Sequence, residues 1–135
     1  MKQSSFRYLG VFDLLLVGVF VAAFGVRALT GSVVVPAMAL AGVAALLAGS
    51  VKSVSLGPLA LSWRHFVALT YALFGVMLPA SYLPGVLPGT ASGEEVALFV
   101  VSSVGALSLL FFGYDVLRGG KHFDVDANVE TVVGR

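Results

Sequence analysis

The stretch from Tyr8 to Leu29, YLGVFDLLLVGVFVAAFGVRAL, decides the fold. It carries one acid, Asp13, and one base, Arg27, in an otherwise apolar run. A helix that crosses the hydrocarbon core of a bilayer needs about 20 such residues. The run exceeds the ~7–15 apolar residues usual in a secretory signal peptide, and no A-x-A-like cleavage site precedes Arg27. We therefore expect this segment to be retained as a membrane span.

The composition of the whole chain also indicates a lipid environment. Of 135 residues, 59% are hydrophobic and 11% are charged, whereas an average soluble domain is about 25% charged. A soluble globule of this length could not bury so many apolar side chains. The net charge of +1, without a basic stripe, argues against a nucleic-acid partner. The absence of isoleucine beside abundant Val, Ala, Leu and Gly is typical of GC-rich codon usage and indicates a prokaryotic source.

Four apolar blocks are long enough to span a bilayer. They cover residues 9–29, 33–51, 63–83 and 96–117. Because a bilayer offers no water to unpaired backbone groups, each block should be helical throughout. The prolines at 79, 84 and 88 are expected to break up the segment after the third helix. The sequence predicts an all-α, up-down bundle of four transmembrane helices over residues 1–118, followed by a short polar tail over 119–135.

The distribution of Lys and Arg predicts the orientation of the bundle. Four spans place both termini and the loop between the second and third helices on one side. Seven of the eight basic residues lie on that side: Lys2, Arg7, Lys52, Arg64, Arg118, Lys121 and Arg135. The other side holds only Arg27. By the positive-inside rule, we expect both termini to be cytoplasmic in a multi-pass protein of the cell membrane.

Charged residues of several helix ends are predicted to meet at one level. If the first helix begins at Leu9, Asp13 lies about 6 Å inside the membrane boundary. The predicted ring consists of Asp13, Lys52, Arg64, His65, Asp115 and Arg118. It can be read as a set of ion pairs that locks helix ends together, or as a proton or cation relay that starts at Asp13. We expect the ion pairs, with Arg64 as the first-choice partner of Asp13 and Lys52 or Arg118 as alternatives.

Two further groups of residues are predicted to lie between helices. Tyr71 and Ser108 fall at similar depths and could hydrogen-bond across the bundle or line a substrate path. Small residues recur every four positions in the second helix: Ala37, Ala41, Ala45 and Gly49. Such spacing lets helix backbones approach closely, so this helix is predicted to make the tightest helix contacts.

Two segments outside the spans have a strand-like pattern. The loop KSVSLGPLALS, residues 52–62, alternates around Gly57-Pro58 and predicts a short interfacial turn or hairpin. The tail contains the stretch VETVV, residues 129–133, which is either solvated or extended and docked.

The sequence carries no signature of an enzyme. It has no cysteine, no H-E-x-x-H, no G-x-S-x-G and no P-loop. His65 begins a helix and His122 lies in the tail, so neither is placed to hold a haem within the membrane. The sequence therefore predicts no enzymatic activity, no cofactor and no metal site.

Two functional interpretations remain. The first is an accessory, scaffold or assembly subunit that lies in the lipid bilayer and works by helix packing with itself or with a larger membrane complex. The alternative is a small transporter or channel for protons, cations or a small solute, with Asp13 and Asp115 as coupling acids. A transporter needs a polar cavity that reaches the middle of the membrane.

Overall fold

The computed structural model describes residues 2–122 and 125–134 and is mostly helical. Its elements are α1 (Ser5–Phe24), α2 (Arg27–Thr30), α3 (Val34–Ser50), β1 (Ser53–Leu56), β2 (Leu59–Ser62), α4 (Trp63–Val86), α5 (Gly93–Leu117) and β3 (Val132–Gly134). Four helices are long, and α2 is a single turn. Three of them, α1, α4 and α5, are long and apolar enough to cross a membrane, whereas α3 has 17 residues. This indicates a membrane-associated protein.

The observed boundaries of the first and third long apolar blocks differ from the predicted ones. The first helix begins at Ser5, four residues before the predicted start, and ends at Phe24 because Gly25 takes φ 75° and its N–H bonds the carbonyl of Val21. The expectation that prolines break up the segment after residue 83 is wrong, because α4 continues through Pro84 to Val86. A proline removes one helical N–H bond, and in an apolar setting the remaining backbone bonds still favour a helix.

Polar contacts cap the starts of α4 and α5. The Ser62 N–H donates to Nδ1 of His65 at 3.1 Å, three residues into α4. The Ser92 side chain accepts from the N–H of Glu95 at 3.2 Å, and Glu94 and Glu95 occupy the first turn of α5. These contacts satisfy backbone donors that a helix start leaves free.

The long helices pack side by side in chain order. The extensive contacts are those of α1 with α3, α3 with α4, and α4 with α5. We call the end where α1 begins and α5 finishes the terminal end, and the opposite end, with α2 and residues 87–92, the loop end. Helices meet most compactly at the terminal end, in a core of Phe6, Ala48, Val51, Trp63, Phe66, Val67, Val116 and Val125.

A small sheet covers the terminal end, with strand order β2-β1-β3. The predicted hairpin is confirmed, because β1 and β2 pair antiparallel around Gly57, whose φ of 62° suits the first position of a tight two-residue turn. The tail docks: β3 pairs parallel with β1. Its earlier part is held by Asn128, which accepts from the Ser4 N–H at 2.9 Å and donates to the Ser4 hydroxyl at 2.8 Å.

Candidate functional site

Asp13 lies deeper in its helix than the sequence predicts. Because α1 starts at Ser5, Asp13 is about 12 Å along the helix axis from its first residue. Its side chain is 3% exposed and faces α3, where a Cβ added to Gly42 would lie 3.0 Å from Oδ2. Oδ2 has no hydrogen-bond partner among the described residues. Asp13 is therefore a buried acid within the contact between α1 and α3.

The predicted pairing of Asp13 with Arg64 is wrong. The Arg64 guanidinium donates to the carbonyl of Val116 at 2.7 Å, and its central carbon lies 4.7 Å from the centroid of the Trp63 ring. Arg64 thus stabilises the end of α5 from the start of α4. The four-residue shift in the start of α1 moves Asp13 by one helical turn, or about 6 Å, away from the level assumed for the pair.

The other members of the predicted ring have separate local roles. Asp115 is 5% exposed and accepts from the N–H of His122 at 2.9 Å, so it holds the turn that leads from α5 into the tail. The Arg118 guanidinium lies over the ring of Tyr114 at 5.4 Å. His65 caps the start of α4, and the Lys52 N–H donates to the carbonyl of Thr131. The structure thus brings most of these residues to the terminal end, where the contacts given above are local to the helix starts, the helix ends and the tail.

The predicted contact between Tyr71 and Ser108 is also wrong. The Ser108 hydroxyl donates to the carbonyl of Val104 in its own helix, at 3.5 Å. The Tyr71 ring lies between two other rings, 6.1 Å from Phe6 and 6.3 Å from Phe112, both edge-on. Tyr71 therefore links α1, α4 and α5 through aromatic packing.

The small residues that recur every four positions in α3 were predicted to pack closely, and most of them do. Ala41 and Ala45 are fully buried, and Gly49 is so close to the backbone of Arg7 that a Cβ there would overlap it. Ala37 is half-buried and lines a cavity at the loop end. The four-residue spacing therefore identified positions of close packing, and at Gly49 the neighbouring helix is α1.

Two glycines of the same interface were missed. A Cβ added to Gly10 would lie 2.6 Å from the backbone nitrogen of Leu46, and one added to Gly42 would lie 2.8 Å from Cγ of Leu14. Both glycines are buried. Gly42 lies seven residues before Gly49, which is two turns of helix, and this spacing was the signal that could have found it.

Gln3 was also missed, and it holds the terminal end together. It is 0% exposed, and its Nε2 donates to the carbonyls of Ala48 and Val51, each at 2.8 Å. These carbonyls belong to the end of α3, where a helix leaves acceptors free. The Gln3 N–H donates to the carbonyl of Asp126 in the tail. One residue therefore joins the chain start, the end of α3 and the tail.

The main cavities differ in polarity and position. One has a volume of about 620 Å³ and lies between α3 and α4 at the loop end. A second, of about 180 Å³, lies at the terminal end beside Arg118, Lys121 and His122. Asp13 lines neither of them. In the described part of the chain, no three His, Asp or Glu side chains are grouped closely enough to hold a metal ion.

Comparison with known proteins gives a family without an assigned activity. A model described as a family of unknown function, DUF7994, matches residues 1–129. The chain belongs to this family. The match includes all four long helices and the first part of the docked tail. No match was found among curated proteins or solved structures.

Proposed function

We propose that the protein crosses the cell membrane four times, with both termini in the cytoplasm. The seven-to-one distribution of basic residues supports this orientation. The 17 residues of α3 span about 25 Å, so this helix would cross the hydrocarbon core with a small mismatch. The terminal end, with its sheet and docked tail, then lies at the cytoplasmic surface.

Within that membrane, the protein acts as a non-catalytic accessory or assembly subunit through helix packing. The observation that carries this proposal is the open outer face of α5. Among the described elements, α4 is the one that makes extensive contact with α5. Only 11% of the residues in the most apolar stretch of α5 are buried inside the protein. Val101, Val104 and Leu107 on this face are each more than 60% exposed. Such a face suits a neighbouring helix, of a second copy or of a larger membrane complex.

Photo-crosslinking in native membranes tests this proposal. A photoreactive residue at Val101 should form a protein adduct, whereas the same residue at Leu87, which is 78% exposed in the loop, should not. Val101→Trp should also shift the protein toward the monomer in native gels, and Leu87→Trp should leave its migration unchanged. A wild-type protein that migrates only as a monomer after mild solubilisation, without a Val101 adduct, would refute the assembly role.

One observation favours the transporter as a second candidate. Asp13 is buried halfway along α1, and its Oδ2 has no hydrogen-bond partner among the described residues. An acid within a membrane-spanning helix is costly and commonly marks a functional site. Asp115 supports this less well, since it already accepts from the turn after α5. Proton or cation flux in liposomes that Asp13→Asn abolishes, with the fold intact, would favour transport over assembly.

A further inference from the structure

A groove runs along the contact between α3 and α4. The 620 Å³ cavity at the loop end and a smaller cavity of about 190 Å³ share two lining residues, Leu40 and Leu73, so they adjoin there. On α4, the lining residues extend from Phe66 to Pro84. At 1.5 Å per residue, this separation gives a groove about 27 Å long. The groove is therefore long and narrow.

The two ends of the groove differ in chemistry. The terminal half is lined by apolar residues only: Leu40, Val43, Ala44, Leu47, Phe66, Leu69 and Leu73. The loop half adds the hydroxyls of Thr30, Ser32 and Ser81. Those of Thr30 and Ser81 donate to the carbonyls of Arg27 and Leu78, so their oxygens are available as acceptors. It also contains Ala80 and Pro84, and Pro84 has no N–H to give to the Ala80 carbonyl. The groove thus offers hydroxyls and a carbonyl at one end and hydrocarbon at the other.

None of the described residues that line the groove is charged. An anionic headgroup would therefore lose hydration without gaining a cation, which is unfavourable. A partner helix does not suit the terminal half either, because a helix with its side chains is about 10–12 Å wide and that cavity holds only about 190 Å³. A flexible hydrocarbon chain fits both the volume and the lining.

We propose that the groove binds one neutral amphiphile with a hydroxyl-bearing head and a single long hydrocarbon chain. The head lies near Thr30, Ser32 and Ser81, and the chain passes between Leu40 and Leu73 toward Phe66. This binding site requires that α3 and α4 lie in lipid, as proposed above, and does not require the assembly role.

Photolabelling with a long-chain monoacylglycerol that carries a diazirine in its chain tests the site. The full-length protein is reconstituted in nanodiscs, and the labelled residues are mapped by mass spectrometry. We expect labels on α3 and α4 at the groove, removed by unlabelled monoacylglycerol but not by an equal amount of a fatty acid or of phosphatidylglycerol. Equal competition by all three lipids, or labels spread evenly over α1 and α5, would overturn the proposal.

Matched variants separate the groove from the general lipid surface. Ala80→Phe places a ring in the 620 Å³ cavity and should lower labelling at least tenfold, whereas Val101→Phe on the outer face of α5 should leave it unchanged. Leu40→Trp blocks the junction of the two cavities and should abolish any preference for long over short chains. Equal labelling of wild type and all three variants would contradict the site.

A milder variant covers the case in which Ala80→Phe does not fold. Ser81→Ala removes one hydroxyl from the rim, and loss of one hydrogen bond should weaken monoacylglycerol binding about two- to tenfold. Unchanged binding in Ser81→Ala, together with unchanged chain-length preference in Leu40→Trp, would refute the proposal. Native-gel migration of the same samples reports separately on assembly, so failure of one proposal is distinguishable from failure of the other.

Discussion

Replacing Gln3 by glutamate should destabilise the protein out of proportion to its size. The Gln3 amide donates two hydrogen bonds to the end of α3, at 2.8 Å each, from a fully buried position. Gln3→Glu keeps the shape but turns the donor into an acceptor. Two lost hydrogen bonds cost about 1–3 kcal/mol. A negative charge at the negative end of a helix adds about 0.3–2 kcal/mol. The expected loss is therefore about 1–5 kcal/mol.

Thermal unfolding in detergent measures this loss, with the fluorescence of Trp63 as the probe. Trp63 is the only tryptophan and lies 5% exposed in the same core. We expect the melting temperature to fall by about 5 °C or more. The deficit should shrink as the pH is lowered, because a neutral carboxyl group has one O–H to donate to a carbonyl.

The matched control is Asn128→Asp, the same amide-to-carboxylate change at an exposed site. Asn128 accepts from the Ser4 N–H and donates to the Ser4 hydroxyl, which can turn to donate to a carboxylate instead. We expect a change within about 0.5 kcal/mol. If Gln3→Glu and Asn128→Asp unfold at the same temperature as the wild type, Gln3 does not hold the end of α3 and this reasoning is wrong.

Three further predictions concern the helices. Gly10→Ala should lower the melting temperature, because its Cβ would lie 2.6 Å from the backbone of Leu46. The control is Gly18→Ala on the same helix, whose Cβ meets nothing within 4 Å and which should stabilise α1 by up to about 1 kcal/mol. Equal effects of the two substitutions would disprove the close α1–α3 contact. Asp13→Asn should unfold at the wild-type temperature or above it, because the described structure gives Oδ2 no partner, and a fall of several degrees would instead support a buried ion pair. Since the chain has no cysteine, single cysteines at Glu130 and Thr90 should be labelled from opposite sides of intact cells; labelling from the same side would disprove the four-span orientation.

The sequence predicts the number and type of the long elements well, because hydropathy and backbone satisfaction act on whole segments. The hairpin around Gly57 follows from alternation and turn chemistry that are local to residues 52–62. The alanine stripe of α3 follows from its helical period. The sequence could not provide the identity of each contact partner. Gly10 lies against Gly42 only because of the register and crossing angle at which α1 packs on α3, and these depend on the whole fold.

The docked tail shows a second kind of limit. Composition describes residues 119–135 as polar, and nothing local distinguishes a solvated tail from a bound one. The structure binds it through Val125, buried in the terminal core, through Asn128 on Ser4, and through β3 on β1. The contacts of Asn128 with Ser4 and of β3 with β1 join residues more than 70 positions apart, so they depend on the fold and leave no periodic signal in the sequence.

The depth of Asp13 in the bundle depends on where helix α1 begins. The apolar run starts at Leu9, and a hydropathy argument places the membrane boundary there. Helix α1 starts at Ser5 instead, because the chain start is held by Gln3 on the end of α3 and by Asp126 in the tail. These contacts fix the register in which α1 meets α3. That register sets Leu14 and Asp13 against Gly42, where an added Cβ would lie 2.8 Å from Cγ of Leu14 and 3.0 Å from Oδ2 of Asp13. The burial of the acid is therefore a consequence of how the terminal end is assembled. Any substitution that removes the hydrogen bonds of Gln3 to the end of α3 should also increase the solvent exposure of Asp13.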